Sequence, residues 1–160
     1  MELEEKIVDA LTERGQWAAA AESCTGGMIC SRLVNVAGAS ACFGEGYVTY
    51  SNEAKEKNLG VSHETLTEFG AVSEETAVQM ARGALKRAGA DYGIATTGIA
   101  GPGGGTKDKP VGLVYISCVT SRQSFVERHV FSGGRAQVRA QATEAALALL
   151  YETILGGEIL

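Results

Sequence analysis

Apolar residues recur at helical spacing over residues 3–14, where Leu3, Ile7, Val8 and Leu11 share a face and Gly15 sits where a helix would stop. The run Trp17 to Ala21 is short and apolar and reads as a buried strand. It breaks into Glu22-Ser23-Cys24-Thr25-Gly26-Gly27. Met28, Ile29, Leu33 and Val34 then predict a helix to about Ala37, and the aromatic and β-branched stretch Gly44 to Tyr50 predicts a strand. Ser51 or Asn52 caps a short helix containing Glu53, Ala54, Lys55 and Lys57, closed by Gly60. Ser62 caps another, with Glu64 in its first turn, and Ser73 caps a long one to about Ala88. Tyr92 to Thr97 is a strand, and Gly98 to Lys109 is a long glycine-rich loop. Val111–Thr120 and Ser124–Phe131 are two strands joined by a short polar turn. Ser132-Gly133-Gly134 precedes a final alanine-rich helix from about Arg135 to Ile154.

Strands alternating with helices predict an α/β fold. The expected form is a layered α/β/α sandwich with a mixed, mostly parallel sheet and one antiparallel hairpin. No internal repeat or linker divides the chain, so residues 1–160 are read as a single domain.

Composition narrows the function classes. The 160 residues are 45% hydrophobic and 21% charged, ordinary for a globule that needs no disulfide or metal staple. A formal net charge of −5 disfavours nucleic acid as a partner. No apolar run reaches the ~18 residues of a membrane span, and the acidic start Met1-Glu2-Leu3-Glu4-Glu5-Lys6 lacks signal-peptide character. A cytoplasmic protein without a membrane partner is expected. Cys24, Cys30, Cys42 and Cys118 form no C-x-x-C pair and read as small buried hydrophobes in a reducing compartment. No His/Asp/Glu/Cys cluster has ligand spacing, so no metal and no cofactor is expected.

Four segments could carry chemistry. Glu22-Ser23-Cys24-Thr25-Gly26-Gly27 lies between a strand and a helix, where α/β folds bind ligands and where a hydroxyl could act as nucleophile. The same residues also suit an ordinary helix cap and turn, and they do not spell a phosphate-cradling P-loop. A serine nucleophile needs a base, and His63 and His129 are the only histidines, each placed as a surface residue. Lysine can replace histidine when burial lowers its pKa, so Lys55 or Lys57 is a candidate, against a solvated helix face. Thr96-Thr97-Gly98-Ile99-Ala100-Gly101-Pro102-Gly103-Gly104-Gly105-Thr106 leaves a strand end and borders the same crevice, but does not fit a dinucleotide fingerprint. Ser132-Gly133-Gly134-Arg135, with Arg139 one turn later, suits a phosphate or carboxylate.

Taken in order, several segments resemble the CinA carboxy-terminal domain family. They are Ala21-Glu22-Ser23-Cys24-Thr25-Gly26-Gly27, Val48-Thr49-Tyr50-Ser51-Asn52-Glu53-Ala54-Lys55 and Gly70-Ala71-Val72-Ser73. To these are added Thr97-Gly98-Ile99-Ala100-Gly101-Pro102-Gly103-Gly104 with Lys109-Pro110-Val111-Gly112, and Phe131-Ser132-Gly133. The match runs from about residue 4 to residue 154 and resembles the stand-alone form, without the amino-terminal molybdopterin-binding-like domain of longer members. The family's enzymes are nicotinamide-nucleotide amidohydrolases, or nicotinamide mononucleotide deamidases. The resemblance implies a small-molecule nucleotide substrate, nicotinamide mononucleotide, cleaved to nicotinate mononucleotide and ammonia. It carries the motif serine over to Ser23, and the motif tyrosine and lysine over to Tyr50 and Lys55.

The combined expectation is a metal-independent amidase and a homo-oligomer. Ser23 attacks the carboxamide, Lys55 takes and returns the proton, and Tyr50 relays or orients it. N–H groups near Thr25 and Gly26 hold the oxyanion. Glu22, Thr25, Gly26, Gly27, Thr97, Gly98, Gly101, Gly103, Arg135 and Arg139 line the substrate, with the phosphate at a helix start or on Arg135 or Arg139. Two other classes compete. One is a non-catalytic nicotinamide-nucleotide-binding or assembly module. The other is a short-chain-type reductase, disfavoured because Tyr50 and Lys55 are five residues apart rather than four.

Overall fold

The computed structural model describes residues 1–156, and its elements follow the local signals of the chain. Helix α1 (Leu3–Arg14) starts at a capping box in which the side chains of Glu2 and Glu5 serve each other's backbone, and stops at Gly15 in the left-handed region. Strand β1 (Ala18–Glu22) follows, then α2 (Met28–Val34), a single 3-10 turn at Ala39–Ala41, and β2 (Phe43–Val48). Helices α3 (Asn52–Leu59), α4 (His63–Phe69) and α5 (Glu74–Ala88) come next. Each begins at a serine, Ser51, Ser62 and Ser73, whose hydroxyl accepts an N–H of the first turn. Strands β3 (Tyr92–Gly98), β4 (Leu113–Val119) and β5 (Ser124–Val130) precede the last helix, α6 (Arg135–Gly156). Several boundaries differ from the sequence reading by one to three residues: α2 ends at Val34 rather than about Ala37, β4 starts at Leu113 rather than Val111, and β2 ends at Val48, which leaves Thr49 and Tyr50 as connecting backbone.

The five strands lie in the order β2-β1-β3-β4-β5. β1 pairs in parallel with β2 and β3, and β4 is antiparallel to both β3 and β5. Four strands therefore point one way, and β4 is the exception. The chain leaves β1 in one direction to reach β2, then returns across β1 to reach β3. Right-handed crossovers in opposite directions must lie on opposite faces of the sheet. Accordingly α2 packs with α1 and α6 on one face, and α3, α4 and α5 form the layer on the other.

β1 is all alanine until its last residue, and it is buried on both faces. Ala18 and Ala20 join Ile7, Leu11, Ile29, Leu147 and Leu150 in one core, while Ala19 and Ala21 join Met80, Ala81 and Ala84 in the other. Small residues let both helical layers approach the sheet closely. Gly93 on β3 is the extreme case, since a Cβ there would stand 2.1 Å from the Ala81 carbonyl oxygen of α5. No described helix is long and apolar enough to cross a membrane.

Candidate active site

The crossovers place the candidate site. From β1 the chain turns to one face, and from β2 it turns to the other, so the carboxyl ends of these neighbouring strands open a crevice. Ser23 stands at the end of β1, and α3 starts four residues after β2. Backbone bonds continue the sheet across this edge: Ser23 N–H donates to the Thr96 carbonyl at 3.0 Å, and Thr49 N–H donates to the Glu22 carbonyl at 3.0 Å.

Lys55 lies in the first turn of α3. The Ser51 cap fixes that turn, accepting from Ala54 N–H at 3.1 Å, so Lys55 points inward and Lys57, about 200° further round, points to solvent. Lys55 is 1% exposed, the largest fully buried side chain of the described residues. Its Nζ lies 3.0 Å from Ser23 Oγ, 2.8 Å from the Thr49 carbonyl and 3.2 Å from the Tyr50 carbonyl. No carboxylate among the described residues bonds to it, and burial pushes its pKa from 10.5 down to about 8. A neutral amine has two hydrogens and one lone pair. With the hydrogens on the two carbonyls, the lone pair is left facing the Ser23 hydroxyl.

The loop beneath Ser23 is held by buried polar groups. Glu22 is fully buried, and its carboxylate accepts from Thr25 Oγ1 at 2.6 Å, Ile29 N–H at 2.9 Å and Cys30 N–H at 3.0 Å. It thereby caps α2 from inside the fold. Thr25 Oγ1 also meets Thr96 Oγ1 at 2.7 Å. Gly26 and Gly27 take φ of 57° and 105°, the left-handed conformation that turns the loop into α2.

The remaining expected site residues divide by position. Glu22 and Thr25 are wholly buried and use their side chains inside the fold, so neither presents a group to solvent. Thr97 is buried and donates to the Ala71 carbonyl at 2.7 Å, and Gly98 packs against Val114. Gly103 is open, with nothing near its Cβ position. Tyr50 is 65% exposed, and its hydroxyl accepts from Arg135 at 3.1 Å rather than bonding to Ser23 or Lys55. Its backbone carbonyl, not its phenol, touches the lysine. Arg135 also donates to the Gly101 carbonyl at 2.8 Å, joining the start of α6, the glycine-rich loop and Tyr50. Arg139 turns inward instead and donates to the carbonyls of Cys24 and Thr25 at 2.9 and 3.2 Å. Gly26 N–H, expected to face an oxyanion, donates to the Ser23 carbonyl at 3.2 Å. The N–H groups of Cys24 and Thr25 have no acceptor among the described residues.

His63 and His129 bond to Glu56 and Glu127 and not to Ser23. All four cysteines are free thiols. Burial pushes Cys24 up to about 11, so the thiol beside Ser23 stays protonated at neutral pH. The sequence reading missed Thr49 and Thr96. Thr49 acts through its carbonyl, which carries no side-chain signal, and Thr96 was visible only as a member of the glycine-rich segment.

Residues 1–154 match the CinA C-terminal domain. The chain belongs to this family. The family's curated members include longer proteins: a CinA-like protein of Kosmotoga olearia is 50% identical over 153 residues, which are 96% of this chain but 37% of that protein. The chain thus spans little more than a third of the length of such relatives. Others are of similar length. The nicotinamide-nucleotide amidohydrolase PncC of Escherichia coli strain K12 is 49% identical over 156 residues, covering 97% of this chain and 94% of that one. A competence/damage inducible protein of Agrobacterium tumefaciens, solved by crystallography, superposes with a TM-score of 0.92 at 45% identity, covering 94% of this chain and 92% of the other.

Proposed function

We propose that this CinA-family chain hydrolyses the carboxamide of nicotinamide mononucleotide, with Ser23 as nucleophile and Lys55 as general base. The observation that carries this reading is the buried Lys55 amine, 3.0 Å from the Ser23 hydroxyl and oriented by two carbonyls. The similarity to a full-length amidohydrolase relative supports the substrate.

Ser23 Oγ attacks the carboxamide carbon while its proton moves to Lys55 Nζ. The Cys24 N–H, directly after Ser23, stabilises the oxyanion. Lys55 then gives the proton to the departing nitrogen, ammonia leaves, and an ester to Ser23 remains. A water loses its proton to Lys55 and attacks that ester, and Lys55 returns the proton to the departing Ser23 oxygen, which frees nicotinate mononucleotide and restores both residues. The cationic pyridinium makes the carboxamide carbon more electrophilic and disfavours protonated Lys55. Arg135, exposed at the start of α6, takes the phosphate, whereas Arg139 is engaged with the Ser23 loop.

The test is ammonia release from nicotinamide mononucleotide by the purified chain. One ammonia and one nicotinate mononucleotide are expected per turnover, with Ser23→Ala slower by about 10⁴-fold or more. A Ser23→Ala rate near wild type overturns the nucleophile. Tight binding of the nucleotide with no ammonia over many hours leaves the non-catalytic binding module.

A further inference from the structure

The sequence reading placed the substrate phosphate at a helix start or on Arg135 or Arg139, but the structure gives the Arg139 guanidinium two other partners. Its Nε donates to the Cys24 carbonyl at 2.9 Å and one terminal nitrogen donates to the Thr25 carbonyl at 3.2 Å. These carbonyls belong to successive peptide units directly after Ser23. A peptide unit is planar and trans, so its N–H points away from its C=O. Holding the Cys24 carbonyl therefore turns Thr25 N–H to the opposite side. Holding the Thr25 carbonyl turns Gly26 N–H, which closes the turn back onto the Ser23 carbonyl at 3.2 Å. The Ser23 carbonyl held in this way turns Cys24 N–H to the opposite side, where it has no acceptor among the described residues, while Thr25 itself is wholly buried.

Other groups agree with this arrangement. Gly26 lies against the guanidinium, where a Cβ would stand 3.2 Å from Arg139, and takes the left-handed φ that a side chain would strain. Arg139 is anchored on α6, whose preceding residue Val138 is fully buried in the core. A rigid element therefore reaches across to set the plane of two peptides in a glycine-containing loop. A lysine would not copy this geometry, because its donors radiate from one nitrogen, whereas the guanidinium presents Nε and a terminal nitrogen to the two carbonyls in one plane.

We propose that Arg139 is a positioning residue that fixes the turn after Ser23, and through it orients the Cys24 N–H toward the oxyanion of the transition state. The proposal rests on Ser23 being the nucleophile. Arg139 touches neither the substrate phosphate nor the reacting atoms; it acts through the backbone it holds.

The test compares wild type, Ser23→Ala and Arg139→Ala. Three substrates are used: nicotinamide mononucleotide, its riboside, and the thioamide analogue of the mononucleotide. Ammonia is measured, with thermal unfolding as a check on folding. Sulfur accepts hydrogen bonds more weakly than oxygen, so a working oxyanion site favours the carboxamide over the thioamide. Removing one oxyanion donor costs about 10²–10³ in kcat. Arg139→Ala is expected to lose at least tenfold in kcat with KM within about twofold, on mononucleotide and riboside alike. Its preference for carboxamide over thioamide should shrink severalfold. If Arg139→Ala does not fold, Arg139→Gln is measured in the same way, with the same expectations. The proposal is overturned by a folded variant with kcat near wild type while Ser23→Ala is inactive. It is overturned equally by a loss confined to KM for the phosphorylated substrate, which would make Arg139 a phosphate reader. Equal losses on amide and thioamide would show general damage and also overturn it. An active Ser23→Ala enzyme would instead sink the nucleophile reading itself.

Discussion

Raising the pH from 7 to 9 is expected to raise kcat/KM about tenfold, and the size follows from the burial of one amine. Lys55 is pushed from 10.5 down to about 8 by burial, with carbonyls and a hydroxyl rather than a carboxylate around its nitrogen. At pH 7 roughly a tenth of such a group is neutral, against about three in ten thousand for an ordinary lysine. At pH 9 about nine tenths are neutral, and the rate levels off above that. The base must be neutral to act, so activity rises with pH through the folded pKa. The same burial sets a stability trend of the same sign. Between about 8 and 10.5 the unfolded chain holds the Lys55 proton and the folded chain does not, so stability gains with rising pH. The penalty is fully present below about 8, amounts to about 3 kcal/mol, and is gone above 10.5. Relative to Lys55→Met, wild type should therefore gain roughly 6–12 °C in Tm as the pH goes from 7 to 11. The assays are initial rates of ammonia release from pH 6 to 10 and thermal unfolding of both proteins over that range and above. A pH-independent rate, or a limb centred near 10.5, would refute the reasoning. So would a limb removed by His63→Ala or His129→Ala.

Further outcomes are expected at neighbouring positions. Lys55→Ala and Lys55→Arg should each lose at least about a hundredfold in rate, while Lys57→Ala stays within a few fold, because Lys57 is in solvent on the face of α3 turned away from Ser23. Arg135→Ala should raise KM for nicotinamide mononucleotide tens of times and change riboside cleavage little; equal effects on both would remove Arg135 from the phosphate. Gly93→Ala, whose Cβ would meet the Ala81 carbonyl oxygen at 2.1 Å, should destabilise by about 1–3 kcal/mol or more, read as a fall in Tm. Dialysis against EDTA should leave ammonia release unchanged, and a loss restored by zinc or magnesium would contradict a serine mechanism.

The sequence by itself determined what is local. Serine caps at Ser51, Ser62 and Ser73 begin helices because a hydroxyl can serve an N–H two or three residues on, whatever the rest of the chain does. Gly15, Gly60 and Gly89 end helices because the left-handed region costs glycine little. The apolar run Trp17–Ala21 announced a buried strand, and the spacing of Lys55 and Lys57 meant that only one could face Ser23. What depends on partners distant in sequence was not legible. Glu22 reads as a strand-end carboxylate open to a ligand, and only the fold shows it enclosed by Thr25, Ile29 and Cys30. Arg135 and Arg139 are indistinguishable helix-start arginines in the sequence. One full turn plus a fraction separates them, and that rotation sends one outward to Tyr50 and the other inward to the Ser23 loop. The depressed pKa of Lys55 is likewise tertiary, since its desolvation comes from elements distant in the chain that pack around the amine. Backbone conformation answers to neighbours along the chain, but burial and orientation answer to packing between elements far apart in it.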